Sequence, residues 1–168
     1  EELKNEMLSS LIEGSKQLAL AYAEQQSRFD LEDVATSARQ EGDKYIINGQ
    51  KSMVLNAESS DHIVVVTRTN GGQVDEEGIT LFLVDSNSKG LERNNFPTVD
   101  GLRASEITFD NVEVNPERMI GDLDKGFSIL RTITNNAILA LCAEAVGAME
   151  VLYKDTVEYT QQREQFDH

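Results

Sequence analysis

The residues able to do chemistry are few and scattered. Gln17 to Ala23 (Gln-Leu-Ala-Leu-Ala-Tyr-Ala) reads as a strand of small side chains, and such a strand lets a flat ligand lie close to its backbone. Asp122-Leu123-Asp124-Lys125-Gly126 superficially has the acid spacing of a calcium loop, but its Gly comes one position too early and no closing Glu follows. Asp124 is therefore read as a helix N-cap. His62 leads an apolar strand, and no arrangement with a Ser or Cys can be inferred around it, which speaks against a hydrolytic triad. Cys142 lies on an apolar helical stripe and reads as a small buried hydrophobe rather than a nucleophile. Arg163 stands at a helix end, where a guanidinium can satisfy terminal carbonyls. Neither Gly-x-Gly-x-x-Gly nor Gly-x-x-x-x-Gly-Lys-Ser/Thr occurs, so a Rossmann or P-loop nucleotide site has no support.

Charge narrows the partners. Thirty Asp and Glu stand against fifteen Lys and Arg, a net charge of −15, which disfavours diffuse attraction to nucleic acid or an anionic membrane. A phosphate-bearing ligand would have to be met by one or two particular cationic side chains. The single cysteine excludes an internal disulfide and fits a reducing compartment. No apolar run is read as approaching the ~20 residues of a membrane span, and no signal peptide opens the chain, so a cytoplasmic protein is expected. With 168 residues, 39% of them hydrophobic, the chain can bury one core plus appendages. It opens on Glu1 without Met and stops at Asp167-His168, so it is read as a piece of a longer protein.

The elements that must position these residues follow from patterning. Glu2 to Glu13 places Leu3, Met7, Leu8, Leu11 and Ile12 at helical spacing, with Gly14 as the C′ residue. After the Gln17–Ala23 strand and a polar stretch, Val34 to Gln40 is a strand turned by Glu41-Gly42-Asp43. Residues 44–55 are expected to form a β-hairpin with Asn48-Gly49 as a type I′ turn. His62 to Thr69 and Ile79 to Asp85 are apolar strands covered on both faces; Leu91 to Phe96 is an edge strand before Pro97. Ser105 to Val114 alternates, with a turn at Asp110-Asn111. About seven short strands predict an antiparallel barrel or sandwich. From Phe127 to about Gln162 no proline interrupts two apolar stripes, giving a helix about 54 Å long. So wide an apolar surface belongs in a helical bundle or a subunit interface. The expected class is an α+β fragment: residues 1–16 end a helical domain, 17–118 form a middle β domain, and 122–168 begin the first long helix of a truncated helical domain.

This order of elements resembles the acyl-CoA dehydrogenase family over essentially the whole chain. The specific marks are Gly42-Asp43-Lys44-Tyr45-Ile46-Ile47-Asn48-Gly49-Gln50-Lys51, then Phe109-Asp110-Asn111-Val112-Glu113-Val114, Gly126-Phe127, Ala145-Val146-Gly147, and Gln162-Arg163-Glu164-Gln165-Phe166. The last is similar to the family's Arg-x-Gln-Phe-Gly segment. The resemblance implies FAD-dependent α,β-dehydrogenation of an acyl-CoA thioester, with a carboxylate base and a hydride passing to the flavin. It implies an electron-transfer acceptor as well. The family's base lies further along the C-terminal domain, so no catalytic or substrate-binding residue is assigned here. For the cofactor, the resemblance points to Leu20, Tyr22 and Ala23 beside the pyrimidine side of the flavin. It sets Met53, Val54 and Leu55 against the isoalloxazine. Arg163 and Gln165, with the adjoining Phe166, match positions that reach the phosphate or adenosine portion of FAD in a neighbouring subunit.

Departures from the pattern are specific. Where the family has Thr-Glu-Pro-x-Ala-Gly-Ser-Asp this chain has Ala23-Glu24-Gln25-Gln26-Ser27-Arg28-Phe29-Asp30, so the Thr is lost and Phe29 replaces the Ser associated with CoA. Leu55 cannot donate the hydroxyl hydrogen bond expected near N5, and Asn135 and Ile138 replace an Asp and an Arg linked with substrate binding. These losses resemble the small subunits of pimeloyl-CoA dehydrogenase type. They imply a homo- or hetero-oligomer assembled through the long helix, in which this chain lends Arg163 to a partner's flavin. Two other classes stay open: a β-barrel interaction module with a dimerising helix, and a cofactor-free paralogue within a dehydrogenase complex.

Overall fold

The computed structural model describes residues 2–166, so Asp167 and His168 and the side chain of Leu3 lie outside the described residues. It contains two compact units that divide between Leu130 and Arg131.

In the first unit, α1 (Glu2–Ile12) ends as its sequence predicts. Gly14 adopts φ +71°, its N–H donates to the Leu11 carbonyl at 3.1 Å, and the Ser15 N–H donates to the Ser10 carbonyl at 3.0 Å. This is the Schellman pair of bonds, which needs a left-handed residue where Gly14 stands. Met7 alone of the described α1 side chains is buried.

The strands are β1 (Leu18–Ala21), β2 (Ser37–Glu41), β3 (Lys44–Leu55), β4 (His62–Arg68), β5 (Ile79–Asp85), β6 (Leu91–Pro97), β7 (Arg103–Val114) and the short β8 (Met119–Ile120). They pair in the order β6-β7-β3-β2-β4-β5-β8, with β1 joined to β4. Most pairs are antiparallel, but β1 and β2 both run parallel to β4. The sheet is therefore mixed rather than antiparallel, and among the described residues no pairing joins β6 to β8. β4 and β5 are buried on both faces, as their unbroken apolar runs predict. One face packs Ile63, Val65, Phe82 and Val84 with Tyr45 and Ile107, the Tyr45 and Phe82 rings being 4.9 Å apart. The other packs Val66, Ile79 and Leu81 with Val34, Phe127 and Leu130.

The hairpin expected within 44–55 is not there. β3 runs straight through Asn48-Gly49, and the turn that precedes it is at Gly42-Asp43, with Gly42 at φ +64° and Glu41 paired to Lys44. The turn expected at Asp110-Asn111 is absent too, and for the same reason. Ile47 pairs with Val112 and Gly49 with Phe109, so Asn48 faces both Asp110 and Asn111 across a β-bulge. Asn48 seals it: its Oδ1 accepts from the Asn111 N–H at 2.9 Å, and its Nδ2 donates to Asn111 Oδ1 at 3.2 Å. Two turn-like dipeptides are thus the two sides of one bulge.

A loop follows β8, in which Asp124, expected as the N-cap of the next helix, directs its carboxylate to the Thr69 hydroxyl at 2.6 Å. α2 (Gly126–Gln162) then spans 37 residues, matching the predicted long helix. In the second unit Ile138, Leu139, Leu141, Val146, Met149 and Leu152 are more than half exposed. Cys142, expected to be buried among them, is exposed as well. By length and composition α2 is apolar enough to cross a membrane, with a window of mean hydropathy 1.4, which corrects the expectation that no run approached that length.

Candidate functional site

Alternation along β3 turns Tyr45, Ile47 and Lys51 to the interior, and Lys51 is wholly buried there. A lysine in that place must be met by a partner. Its Nζ donates to Glu24 Oε1 at 2.6 Å and to the Tyr22 carbonyl at 3.2 Å. Glu24 is buried too, and its carboxylate is fully engaged. Oε1 also accepts from the Thr36 N–H at 3.0 Å, while Oε2 accepts from the Ala35 N–H at 2.9 Å and from Gln26 Nε2 at 2.7 Å. One buried ion pair thus ties the residues after β1 to β3 and to the entry of β2.

Immediately beyond Lys51 the strand bulges again. Lys51 pairs with Ile107 and Val54 with Ser105, so Ser52 and Met53 face the single residue Glu106. Ser52 turns its N–H to the Ala23 carbonyl at 2.8 Å, and Met53 adopts φ +53°, a left-handed conformation that is strained for a residue with a Cβ. The Met53 N–H points to Glu106 Oε1 at 3.4 Å. The bulge leaves Tyr22, Met53 and Leu55 at 40–54% exposure while Val54 is 1% exposed in the core.

Of the residues expected to meet a cofactor, Tyr22, Ala23, Met53, Val54 and Leu55 are brought together by these contacts. Val54 is buried in the first core cluster and presents no surface, and Leu20 is half-buried against the second core cluster. Arg163, Gln165 and Phe166 belong to the second unit, just past the end of α2. The Arg163 N–H continues the helix to the Tyr159 carbonyl, and its guanidinium lies 5.5 Å from the Tyr159 ring centroid in cation–π contact. Phe166 is 91% exposed. Among the described residues no cluster of acids, cysteines and histidines could hold a metal.

Sequence reasoning missed Lys51, Ser52, Thr36 and Glu106. Lys51 could have been found, because it shares the inward parity of Tyr45 and Ile47.

Desolvation is the largest influence on both buried ions. It pushes the Lys51 ammonium down to about 8, against the pull of Glu24. On Glu24 it acts upward, but Lys51 and the amide donors outweigh it and hold the carboxyl below its ordinary range. The two shifts act at opposite ends of the pH scale. The Glu24 contribution is present above its unfolded value of 4.5 and is lost as pH falls through the lower folded value. Lys51 binds fewer protons folded than unfolded between about 8 and 10.5, so its burial costs stability below that window and the cost is relieved as pH rises through it. Unfolding free energy is therefore expected to drop on acidification below 4.5 more steeply in the wild type than in Glu24→Gln. Urea titrations at several acid pH values check this, and identical slopes would refute it.

A profile of the acyl-CoA dehydrogenase middle domain matches residues 19–112, the segment that contains the entire ion pair and both bulges. The chain belongs to the acyl-CoA dehydrogenase family. It is 34% identical over 170 residues to the 3-(aryl)acrylate reductase of Clostridium sporogenes, covering 99% of this chain and 45% of that protein. An acyl-CoA dehydrogenase from Geobacillus kaustophilus superposes with TM-score 0.90 at 30% identity, over 100% of this chain and 45% of that one. A solved FAD-dependent dehydrogenase superposes with TM-score 0.88 at 31% identity, over 99% and 45%. The chain thus spans less than half the length of these relatives, and acyl-CoA dehydrogenase family members are FAD-dependent flavoproteins acting on CH–CH groups.

Proposed function

We propose that the protein containing this chain is an FAD-dependent oxidoreductase that forms or removes the α,β-double bond of an acyl-CoA thioester, working as one subunit of a homo- or hetero-oligomer. The observation that carries this reading is the apolar wall of Tyr22, Met53 and Leu55, half exposed, strained at Met53 and braced from behind by Lys51 and Glu24. Its chemistry fits one face of a flat heteroaromatic ring, since no ionised side chain stands among the three. Covering it would remove apolar surface from water at about 25 cal/mol per Å². Its one hydroxyl is that of Tyr22, since Ala23 and Leu55 stand where the family has donors.

The bound flavin would supply hydride acceptance, chemistry that no side chain here can perform. Tyr22, Ala23, Met53 and Leu55 would hold the ring, Val54 would anchor their strand in the core, Leu20 would support Tyr22 from within the sheet, and the wall would exclude water from one side of it. Arg163, with Gln165 and Phe166, would serve the diphosphate or adenosine portion bound by a neighbouring subunit, where a guanidinium suits paired phosphate oxygens. The base that takes the α-proton lies outside these residues. Two electrons gained per turnover must leave again, which calls for a separate electron-transfer acceptor.

The exposed apolar face of α2 supports its reading as the first helix of a helical domain that closes against other helices rather than lipid. Glu144, Glu150 and Lys154 along it favour that choice, and with it a cytoplasmic protein divided at 1–16, 17–118 and 122–168. The relative from Clostridium sporogenes favours a second reading in which the same wall serves reduction of an acrylate.

Purification of the full-length protein tests these readings. Visible flavin absorbance is expected to co-elute with it, alone or with its partner subunit, and to bleach when a saturated acyl-CoA is added. Bleaching only by a reductant, with reoxidation by an arylacrylate, would select the second reading. Absence of flavin from every assembly would overturn both, and full FAD occupancy and activity in the isolated chain would overturn the hetero-oligomer.

A further inference from the structure

We infer that Lys51 and Glu24 are positioning residues for the flavin, their buried ion pair fixing the Tyr22–Ala23 segment against the Ser52–Met53 bulge so that the two halves of the wall share one surface. This deepens the functional reading above and rests on it.

Tyr22 and Ala23 follow the end of β1, and among the described residues β1 itself pairs only with β4. What joins these residues to β3 is a short set of bonds: Lys51 Nζ to the Tyr22 carbonyl, Lys51 Nζ to Glu24, and the Ser52 N–H to the Ala23 carbonyl. Two of the three end on Lys51. Glu24 in turn is anchored by the Ala35 and Thr36 amides, so the ammonium is not merely neutralised but held at one point.

Energetics say that stability alone does not explain such a pair. Two ions wholly removed from water seldom outdo a well-packed apolar pair of the same volume, since desolvation consumes most of their attraction. An ion pair with directed hydrogen bonds does, however, admit far fewer geometries than an apolar contact. The place where it is found is the place where geometry matters, directly behind a strained bulge whose side chains face outward. Misplacement of a ligand wall by about 1 Å can cost on the order of 100-fold in function.

The test separates position from stability by using an apolar exchange. In the full-length protein, with its partner where one is needed, Glu24→Leu/Lys51→Met removes both ions and keeps their volume. Glu24→Asp keeps the charge and shortens its reach by one methylene. Both are expected to fold, the double variant with a lowered denaturation midpoint because the Ala35 and Thr36 N–H groups and the Tyr22 carbonyl lose their partners, and FAD binding is read well below that midpoint. Both are expected to bind FAD roughly 10- to 100-fold more weakly, as outer-shell partners commonly do. Residual bound flavin should lose the resolved fine structure and the visible circular dichroism of the wild-type spectrum.

Unchanged FAD affinity and spectrum in either folded variant would overturn the inference while leaving the functional reading intact. Failure of both variants to fold would assign the pair to folding alone, and would overturn it likewise. A wild-type protein that binds no FAD would bring down the functional reading, and this inference with it.

Discussion

Replacing Glu24 by Gln is expected to cost about 3–5 kcal/mol of folding free energy, the range found when one partner of a buried ion pair is removed. The size follows from the donors around it. Four groups converge on the carboxylate, two on each oxygen: Lys51 and Thr36 on Oε1, Ala35 and Gln26 on Oε2. A carboxamide has a single oxygen. Whichever way it is turned, its NH₂ faces two groups that also donate, and the buried Lys51 is left without a counter-charge. The surface supplies the control. Lys44 and Glu113 form the same kind of pair at 42% and 59% side-chain exposure, where water already solvates both. Glu113→Gln is expected to leave the denaturation midpoint close to that of the wild type. Urea unfolding of the two variants side by side checks the contrast, and a Glu24→Gln loss as small as the Glu113→Gln loss would mean that the interior pair is solvated.

What the sequence allowed to be read, and what it hid, divides along the same line between local and non-local causes. β4, β5 and α2 were legible because each carries its own evidence: an unbroken apolar run or a proline-free helical stripe needs no knowledge of its neighbours. The end of α1 was legible because Gly14 satisfies a requirement set within one turn. Asn48-Gly49 was misread because a bulge is defined by its partner strand. The dipeptide supplies the unusual backbone that either a turn or a bulge would use, and only Asn111, 63 residues away, decides which. The mixed sheet was missed for a similar reason, since β1 and β2 reach β4 through non-local pairing. In the candidate site the family pattern pointed to the outward residues, Tyr22, Met53 and Leu55. The residues behind them went unnoticed because burial of a lysine is unfavourable until its carboxylate, 27 residues earlier, is placed beside it.

Gly49→Ala distinguishes the two readings of that dipeptide by its magnitude. Had Gly49 occupied an exposed hairpin tip, a methyl group would have met only solvent, and the cost would have been the ~1 kcal/mol of a left-handed backbone at a residue with a Cβ. In the bulge the same methyl points into Thr36. A Cβ built on Gly49 lies 2.6 Å from Thr36 Cα and 2.6 Å from its Oγ1, and the backbone holds φ +146°. Overpacking and backbone strain then add, and a loss of about 3 kcal/mol or more is expected. Thr36→Ala should not rescue it. That change removes the hydroxyl, which accounts for one of the three close contacts, but the others are to Cα and, at 2.8 Å, to Cβ, both of which alanine keeps. The Thr36 N–H is bonded to Glu24, and its hydroxyl to the Gln50 carbonyl, so strand separation at Gly49 is transmitted to the ion pair and to the bulge beyond it. Denaturation of Gly49→Ala and of Gly49→Ala/Thr36→Ala should therefore give similar losses. Full recovery in the double variant would locate the whole clash in the Thr36 side chain and show that β2 can withdraw from β3 without disturbing Glu24.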